Sequence, residues 1–414
     1  MYNLRNDFPI FTSHPDLAFL DNASTTQKPA AVIDGMAEYL RNDYANIHRG
    51  AYELSERSEL LYESSKSAVA KLIGAESAHE IIYTANSTAA ANLLAFSLAR
   101  SGWLVKGDRV LLSAVEHHAN IVPWLMLKES AGIEVEFFEV MEDFSIDFED
   151  LARKATSNTK VISTTFASNV TGAIFDIDRL AAFVATLQID RADLPFSRPL
   201  LVADASQAVP NFEIKVQDRA IDFCFFTGHK MMADAGIGVL YGRKSLLKSL
   251  TPSVGGGGAI NFVHRDGFEP AGLPFRFEPG TPNMTGAVSI LRAIEYFEKI
   301  GGYATVREIE QPLIAYALER FAKLSPRVRL IGPVTPENRV GVFSFMINGM
   351  HANDIADALA ESEICIRSGH HCTQPLHERL GITASARMSL YLYTTQTDID
   401  TFFEVLEDLL DNLD

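Results

Sequence analysis

Short apolar runs of β-forming residues alternate with helical patterns through the middle of the chain, and this alternation constrains the fold more than any other feature. The helical patterns include residues 88–99 and 121–131. Alternation of this kind predicts an α/β domain with a mostly parallel sheet. A short glycine-containing turn separates the last two runs, so one strand is expected to run antiparallel. The runs are residues 80–84, 109–112, 161–166, 200–203, 223–226 and 237–241.

The pattern changes in the last third of the chain. Residues 255–280 are rich in glycine and proline and are expected to form a long loop with functional contacts. From Gly301 onward, three helical patterns surround one strand pattern, which predicts a smaller α+β domain. We expect an N-terminal segment (1–20) that packs with the small domain, a large domain (21–300) and a small domain (301–414). The small-domain patterns are residues 308–324, 341–347, 353–361 and 398–413, and a polar surface insertion is expected at 188–199.

Composition excludes several classes of function. The chain carries 36 basic and 53 acidic residues, a net charge of −17, which repels nucleic acid. No uncharged apolar segment reaches the roughly 18 residues of a membrane span, and the N-terminus has no secretory pattern. The three cysteines, Cys224, Cys365 and Cys372, do not suffice for a disulfide framework. These features favour a cytoplasmic protein with one reactive thiol.

Polar residues follow several predicted strands, where ligands of open α/β sheets bind. Ser87 and Thr88 open a helix and suit a phosphate, although helix capping is the simpler explanation of the two residues taken alone. A histidine of the run Glu116-His117-His118-Ala119-Asn120 is placed to lie flat on a cofactor ring, or to form a structural hydrogen bond. Asn169 is placed to bind a phenolic oxygen, or to form a turn.

Two charged residues follow apolar strands and need special partners. Asp204 would be buried and would pair with a protonated pyridine nitrogen, unless it caps a helix. Gln207 lies three residues further on and reaches the same ligand. Lys230, in Thr227-Gly228-His229-Lys230, would lose its charge on burial and attack aldehydes, unless it is a surface lysine. Together with the phosphate hydroxyls and a stacking histidine, these residues predict a pyridoxal-phosphate (PLP) pocket.

The motifs, in this order along nearly the whole chain, resemble the class V aminotransferase family and, within it, the SUF-type (group II) cysteine desulfurases. The pieces that carry the resemblance are Leu20-Asp21-Asn22-Ala23, Gln27-Lys28-Pro29, His48-Arg49-Gly50, the Glu116 run through Trp124, Ser168-Asn169-Val170, Thr227-Gly228-His229-Lys230, Arg276-Phe277-Glu278, Gly280-Thr281-Pro282-Asn283 and Arg367-Ser368-Gly369-His370-His371-Cys372.

The resemblance implies a PLP-dependent transferase of fold type I, with a mostly parallel seven-stranded sheet, and a homodimer with shared sites. It implies that Lys230 holds PLP covalently, that His117 stacks on the ring and that Asp204 pairs with the ring nitrogen. The phenolic oxygen would lie near Asn169 and Gln207. Four residues would bind the phosphate, namely Ser87, Thr88, Thr227 and His229, and Thr281 would reach the phosphate of the other subunit. Arg387 would clamp the substrate carboxylate, and the other substrate-binding residues would be Arg367, Asn169, His48 and Arg49.

Cys372 is expected to be the nucleophile that receives sulfur. A free cysteine is commonly a small buried hydrophobe, but Cys372 lies in a polar segment rich in glycine and histidine, just before a helix expected near Pro375. Neighbouring histidines, Arg367 and the helix N-terminus all favour a thiolate. Cys224 and Cys365 are expected to be structural. No metal site is expected.

The resemblance implies conversion of L-cysteine to L-alanine, with the sulfur left as a persulfide on Cys372. A sulfur-acceptor protein, feeding iron–sulfur assembly, would then remove it. Selenocysteine lyase or cysteine sulfinate desulfinase activity at the same site is the nearest alternative. The others are a class V PLP enzyme that uses no thiol and a non-catalytic sulfur-transfer scaffold. Departures from the family pattern at Ser24, Ala89, Thr394 and residues 231–236 leave the core catalytic residues intact.

Overall fold

A computed structural model describes residues 4–48 and 50–413 of the chain. Within these residues the strands are β1 (Ala18–Phe19), β2 (Ile81–Thr84), β3 (Arg109–Ser113), β4 (Glu134–Phe138), β5 (Thr159–Thr165), β6 (Leu200–Asp204), β7 (Phe223–Thr227), β8 (Gly238–Gly242), β9 (Ile260–Val263), β10 (Phe268–Pro270), β11 (Val328–Ile331), β12 (Val342–Ile347), β13 (Ile364–Cys365), β14 (Arg367–Gly369) and β15 (Ser385–Ser389).

The helices of the described residues alternate with strands in the middle of the chain and cluster near its end. They are α1 (Ile10–Ser13), α2 (Ala30–Asn42), α3 (Glu53–Ile73), α4 (Ser87–Arg100), α5 (Val122–Ala131), α6 (Phe148–Lys154), α7 (Ile177–Thr186), α8 (Lys244–Ser249), α9 (Met284–Lys299), α10 (Gly302–Lys323), α11 (Ala352–Ala360), α12 (Gln374–Arg379) and α13 (Gln396–Asp411). Short 3₁₀ turns connect several of them.

The large sheet has seven strands in the order β2-β8-β7-β6-β5-β3-β4. Strand β8 pairs antiparallel with both β2 and β7, and the other pairs are parallel, so six strands point the same way. The predicted α/β class, the seven strands and the single antiparallel strand are therefore confirmed. Sequence reasoning missed β4, because its two glutamates interrupt the apolar run and the strand lies at a half-exposed edge.

The strands at the centre of this sheet are buried on both faces because helices cover each side. Alternate residues divide the core in two: Val161 and Val202 pack with Trp124 of α5 on one face. Ile162 and Leu201 pack into the larger cluster on the other face. Continuous apolar runs, rather than alternating ones, are what a doubly covered parallel sheet requires. This double burial leaves the strand ends as the places where polar groups can meet a ligand.

The small domain contains an antiparallel sheet in the order β11-β12-β15-β14. The N-terminal segment contacts this domain: β1 pairs with β13, Ala18 opposite Ile364, and Arg5 donates to Asp398 at 2.9 Å. These contacts agree with the expected packing of residues 1–20, whereas the exact domain boundaries stay a prediction. A break at Gly301, whose φ is +104°, separates α9 from α10.

The expectation of an irregular loop over residues 255–280 is wrong in part. β9 and β10 form an antiparallel hairpin in which Val263 lies opposite Phe268. Both residues are exposed, and so is Phe262. The sequence did not predict the hairpin because its strands are exposed and lack the alternation of apolar and polar residues that a buried face would require. The insertion at 188–199 lies on the surface as expected, with Phe196 packed edge-on against Trp103 at 5.4 Å. Among the described residues, no helix combines the length and apolarity needed to cross a membrane.

The core of the small domain depends on Phe321 of α10, whose ring contacts the rings of Phe343, Phe345, Phe402 and Phe403. Phe321→Ala should lower the free energy of unfolding by about 3–5 kcal/mol, because truncation leaves a cavity in a packed core. Urea denaturation measures this. The control is Val334→Ala, whose side chain is 74% exposed, and it should change stability by less than about 0.5 kcal/mol. Equal effects of the two substitutions would contradict the assigned packing.

Candidate active site

The carboxyl ends of the parallel strands meet at one edge of the large sheet, and most of the predicted site residues lie there. Asp204 is the last residue of β6, and Thr227 is the last residue of the neighbouring β7. Asn169 and His117 follow β5 and β3. Lys230 ends a 3₁₀ turn directly after β7. The edge therefore gathers an amine, a carboxylate, an amide and an imidazole.

Lys230 lies among charged groups in a place with little water. Its pKa is lowered to about 8 by the sum of several interactions. Burial lowers it most, the negative charge of Asp204 opposes this, and the positive charges of Arg387 and Arg367 add to the lowering. An amine with such a pKa exists partly as the neutral nucleophile near neutral pH.

The pocket beside Lys230 contains buried polar atoms that a ligand would satisfy. The Oγ atoms of Ser206 and Thr227 are buried and have no hydrogen-bond partner among the described residues. Asp204 accepts from the Ser206 N–H at 2.9 Å, and burial raises the pKa of this carboxyl group. A phosphate beside Thr227 and a protonated ring nitrogen beside Asp204 would supply the missing partners. The residues present therefore fit PLP.

The start of α4 is also free to bind an anion. Asn86 is the N-cap, with its side chain accepting from the Ala89 N–H at 2.8 Å. Capping by Ser87 or Thr88 was the simpler interpretation of the sequence. Since Asn86 caps the helix, their hydroxyls are not needed for that role. Gly238 allows this turn to approach β8, since a Cβ at Gly238 would lie 2.3 Å from the Asn86 carbonyl carbon.

His117 is held by the chain around it in a neutral form. Its Nδ1 accepts from the Ala119 N–H at 3.1 Å. Burial and the nearby charge of Lys230 lower its pKa to about 3. A neutral ring with this orientation can stack on an aromatic ligand without repelling a protonated ring nitrogen.

A buried network directly before His117 fixes its position. The Glu116 carboxylate accepts from the Thr165 N–H and from the Asn120 side chain, both at 2.7 Å. Asn120 in turn accepts from Ser163 at 2.9 Å and from Trp124 at 3.2 Å. Burial raises the pKa of Glu116 to about 8. The network ties the loop after β3 to β5, which leaves little freedom for the imidazole.

Cys372 is exposed on a tight turn. Both His371 and Cys372 have left-handed backbone angles, φ +51° and +57°, a conformation that costs residues other than glycine free energy. Two hydrogen bonds of 2.7 Å hold this turn: the Asn169 amide donates to the His371 carbonyl, and the His118 N–H donates to the Cys372 carbonyl. The exposed thiol therefore lies on a short turn whose backbone is fixed.

Arg387 on β15 lies beneath this turn. It donates to the Asn169 carbonyl at 3.0 Å and to Asp21 at 3.2 Å. Its Nε is buried and has no partner among the described residues, and burial lowers its pKa to about 10, so it stays cationic at neutral pH. Arg367 donates to the other Asp21 oxygen at 3.3 Å. Arg387 and Arg367 bring two positive charges to the single carboxylate of Asp21. One positive charge is therefore left to bind a second carboxylate.

Three predicted residues make contacts that differ from their predicted roles. The Asn169 amide is engaged with the cysteine turn, where its oxygen accepts from Thr373 at 3.1 Å. Gln207 donates to the Ala23 carbonyl at 2.7 Å and lines a small cavity with Lys230. The His229 carbonyl accepts from Thr26 at 3.0 Å, and burial lowers the pKa of the His229 imidazole to about 4.

The contacts of two predicted residues lie outside this cluster. His48 packs edge-on against Phe275 at 4.7 Å and lies 3.5 Å from Glu59. Thr281 is exposed and lines a cleft of about 820 Å³, together with Ala89 and Gly236. Arg49 lies outside the described residues. The predicted contact of Thr281 with the phosphate of the other subunit requires a second subunit, and the predicted role of His48 in substrate binding stays a prediction.

A family model for class V aminotransferases matches residues 18–402 of the chain. The chain belongs to the class V aminotransferase family. It is 37% identical, over 98% of its length and 94% of the relative, to a probable cysteine desulfurase of Synechocystis. A solved cysteine desulfurase of Thermococcus onnurineus superposes with a TM-score of 0.91 at 32% identity, over 99% of this chain and 98% of that one. A cysteine desulfurase of Escherichia coli gives 0.88 at 30% identity, over 99% of both chains.

Sequence reasoning named no role for three residues of this class V aminotransferase site. Asp21 and Glu116 belong to two of the motifs that resemble the family. A carboxyl group next to apolar residues could have indicated their positioning role. Thr373, which is fully buried and bonded to Asn169, gave no such signal. All three hold other site residues in place through contacts between segments far apart in the sequence.

The attachment of PLP to Lys230 should depend on pH with a midpoint near 8, the lowered pKa of this lysine. Below the midpoint the neutral amine, and with it the rate, should rise about tenfold per pH unit, and the rate should level off above it. Stopped-flow absorbance of apoprotein mixed with PLP measures the rate. Asp204→Asn should move the midpoint to lower pH, since the Asp204 charge raises the pKa, and Lys230→Ala should show no covalent attachment. A midpoint near the ordinary lysine value of 10.5 would contradict the burial of Lys230.

Proposed function

We propose that the chain is a PLP-dependent cysteine desulfurase, which converts L-cysteine to L-alanine and leaves the sulfur on Cys372. One observation carries the proposal: the turn that bears the exposed thiol of Cys372 is hydrogen-bonded to Asn169, whose backbone carbonyl also accepts from Arg387, at the sheet edge where Lys230 lies. A class V enzyme without thiol chemistry would have no need for an exposed cysteine there. The cysteine desulfurases among the relatives and solved structures support the same activity.

The residues of the chain divide the work among them. When bound, PLP withdraws electrons from the substrate Cα. Lys230 would hold the cofactor covalently, and its free amine, with a pKa of about 8, would serve as the base for the Cα proton. Arg387 binds the substrate carboxylate. Neutral His117 would pack against the ring, and Asp204 would pair with its protonated nitrogen.

Cys372 performs the sulfur transfer. Its thiolate attacks the substrate sulfur, so a new S–S bond forms while the carbon–sulfur bond breaks. The bonding pair stays on the substrate Cβ, which takes up a proton, and the proton that Lys230 removed returns to Cα, so the product is alanine. Cys372 then carries a persulfide. Exposure of this residue suits removal of the sulfur by a protein acceptor, which we propose feeds iron–sulfur assembly in the cytoplasm.

A homodimer completes the site in this proposal. The predicted phosphate contact of Thr281 and the predicted substrate contacts of His48 and Arg49 would be made in the other subunit. Two observations support this arrangement: Thr281 is exposed, and the His48 ring contacts Phe275, which precedes Thr281 by six residues. Sedimentation should therefore give a mass of two chains.

Cys372→Ala should abolish sulfide release from L-cysteine plus a thiol reductant, because no other group is placed to take the sulfur. The yellow cofactor should remain bound, since Lys230 and Asp204 are untouched. An anaerobic assay of sulfide and alanine measures this. The matched control is Cys365→Ala, which removes a thiol whose pKa is raised by burial, and it should keep wild-type turnover. Sulfide release by Cys372→Ala at the wild-type rate would contradict the nucleophile assignment.

Selenocysteine and cysteine sulfinate would occupy the same site, because both carry the carboxylate that Arg387 binds. The rates of alanine formation from these substrates and from L-cysteine, each measured in wild type and in Cys372→Ala, separate the activities. We expect Cys372→Ala to lose the reaction with L-cysteine. It should keep the reactions with selenocysteine and cysteine sulfinate, whose leaving groups do not need attack by the thiol.

A further inference from the structure

A lysine ammonium lies deep in the large domain, far from the charged surface. Lys66 of α3 is completely buried, and its Nζ donates to the Ile81 carbonyl at 3.0 Å and to Glu278 at 2.5 Å. Three aromatic rings surround it, with centroids of Tyr62 and Tyr83 at 5.0 Å and of Phe275 at 5.7 Å. We call these three rings the Lys66 cage. Burying a charge is costly unless it is paired and hydrogen-bonded, so a position with this many contacts calls for a functional explanation.

The carboxylate partner of Lys66 is equally well bound. Glu278 accepts from the Tyr62 hydroxyl at 2.9 Å and from the Tyr83 N–H at 2.5 Å, in addition to Lys66. Burial lowers the pKa of Lys66, whereas the Glu278 charge raises it. The pair thus fixes residue 278 against α3 and β2 at once. Because the backbone is held at Glu278, the positions of the residues that follow it, up to Thr281, are restricted.

The segment after Glu278 leads directly to Thr281. Gly280 has φ +94°, and its N–H donates to the Gly257 carbonyl at 2.7 Å. Thr281 itself is exposed at the cleft. The ion pair therefore anchors the N-terminal side of this segment. The residues that follow are exposed and do not anchor it.

A second segment rests on the same cage. The His48 ring packs edge-on against Phe275 at 4.7 Å and against Tyr62 at 6.4 Å. His48 and Thr281 are separated by more than two hundred residues, and the proposed function places the contacts of both in the other subunit. Lys66 and the rings of its cage thus contact both segments: Lys66 binds Glu278, and the rings of Tyr62 and Phe275 contact His48.

We propose that Lys66 is a positioning residue that, through Glu278 and the Lys66 cage, holds Thr281 and His48 in place for the active site of the other subunit. The inference rests on the proposed homodimer with shared sites. It predicts an effect in trans: a defect at Lys66 of one chain should loosen PLP in the site whose Lys230 belongs to the other chain. A lysine that only stabilised its own domain would affect its own site at least as strongly.

Two mixed dimers, made by co-expressing differently tagged chains, separate these cases. In both, only the site that keeps Lys230 can hold PLP covalently. In the first dimer one chain carries Lys66→Met and Lys230→Ala together, and the other is wild type. In the second, one chain carries Lys66→Met and the other carries Lys230→Ala. Cofactor release is followed by the loss of protein-bound PLP absorbance after dilution.

Release should be about tenfold faster from the first dimer than from the second, and the second should match a dimer of wild type with Lys230→Ala. Lys66→Arg should restore retention in the first dimer, because a guanidinium keeps the charge and stacks on aromatic rings. Lys71→Met in place of Lys66→Met is the matched control, since Lys71 lies on the same helix in an exposed pair with Glu298, and it should leave release unchanged.

Faster release from the second dimer, or equal release from both, would overturn the inference while leaving the proposed function intact. A wild-type protein that binds PLP as a monomer would instead contradict the shared-site part of the proposed function. Should Lys66→Met prevent dimer formation, Glu278→Gln in the same two arrangements decides the question, because it removes the charge of the pair with little change in size.

Discussion

The site depends on one constraint: a lysine amine and an aspartate carboxylate lie in a poorly hydrated place at the ends of adjacent strands. Burial lowers the pKa of Lys230, which favours its neutral amine, and raises that of Asp204, whose carboxylate therefore needs a cationic partner. Their mutual attraction limits both shifts. Since β6 and β7 pair in parallel, the sheet itself sets this separation. The remaining site residues are arranged around these two groups by the neighbouring strands.

The small domain contributes Arg387 on β15 and Cys372 on the turn after β14. Asn169 connects the two domains, since its amide holds the cysteine turn and its backbone carbonyl accepts from Arg387 at 3.0 Å. Cys372 and Arg387 therefore share one anchor beside the large sheet. A shift of Asn169 would move both at once, which keeps their spacing constant.

The sequence predicted the large sheet well because its strands are buried on both faces and read as continuous apolar runs. Lys230 and Asp204 were predictable for the same reason: a charged residue directly after such a run has to meet a ligand or another charge. The hairpin of β9 and β10 and the edge strand β4 were missed, since exposure removes the apolar signal. Thr373 and the double role of Asn169 depend on contacts between the domains, which no local pattern encodes.

Carboxyl groups elsewhere in the molecule follow a common arrangement. Glu116 lies directly before His117, Asp21 lies between Arg387 and Arg367, and Glu278 lies three residues before Thr281. In each case the carboxyl group accepts several hydrogen bonds and fixes a short segment. Apolar packing alone is weakly directional, whereas these bonds set both distance and angle. The desolvation cost of each carboxylate is thus balanced by hydrogen bonds that also orient the catalytic segments, and the Lys66–Glu278 pair extends this arrangement to the segments predicted to serve a second subunit.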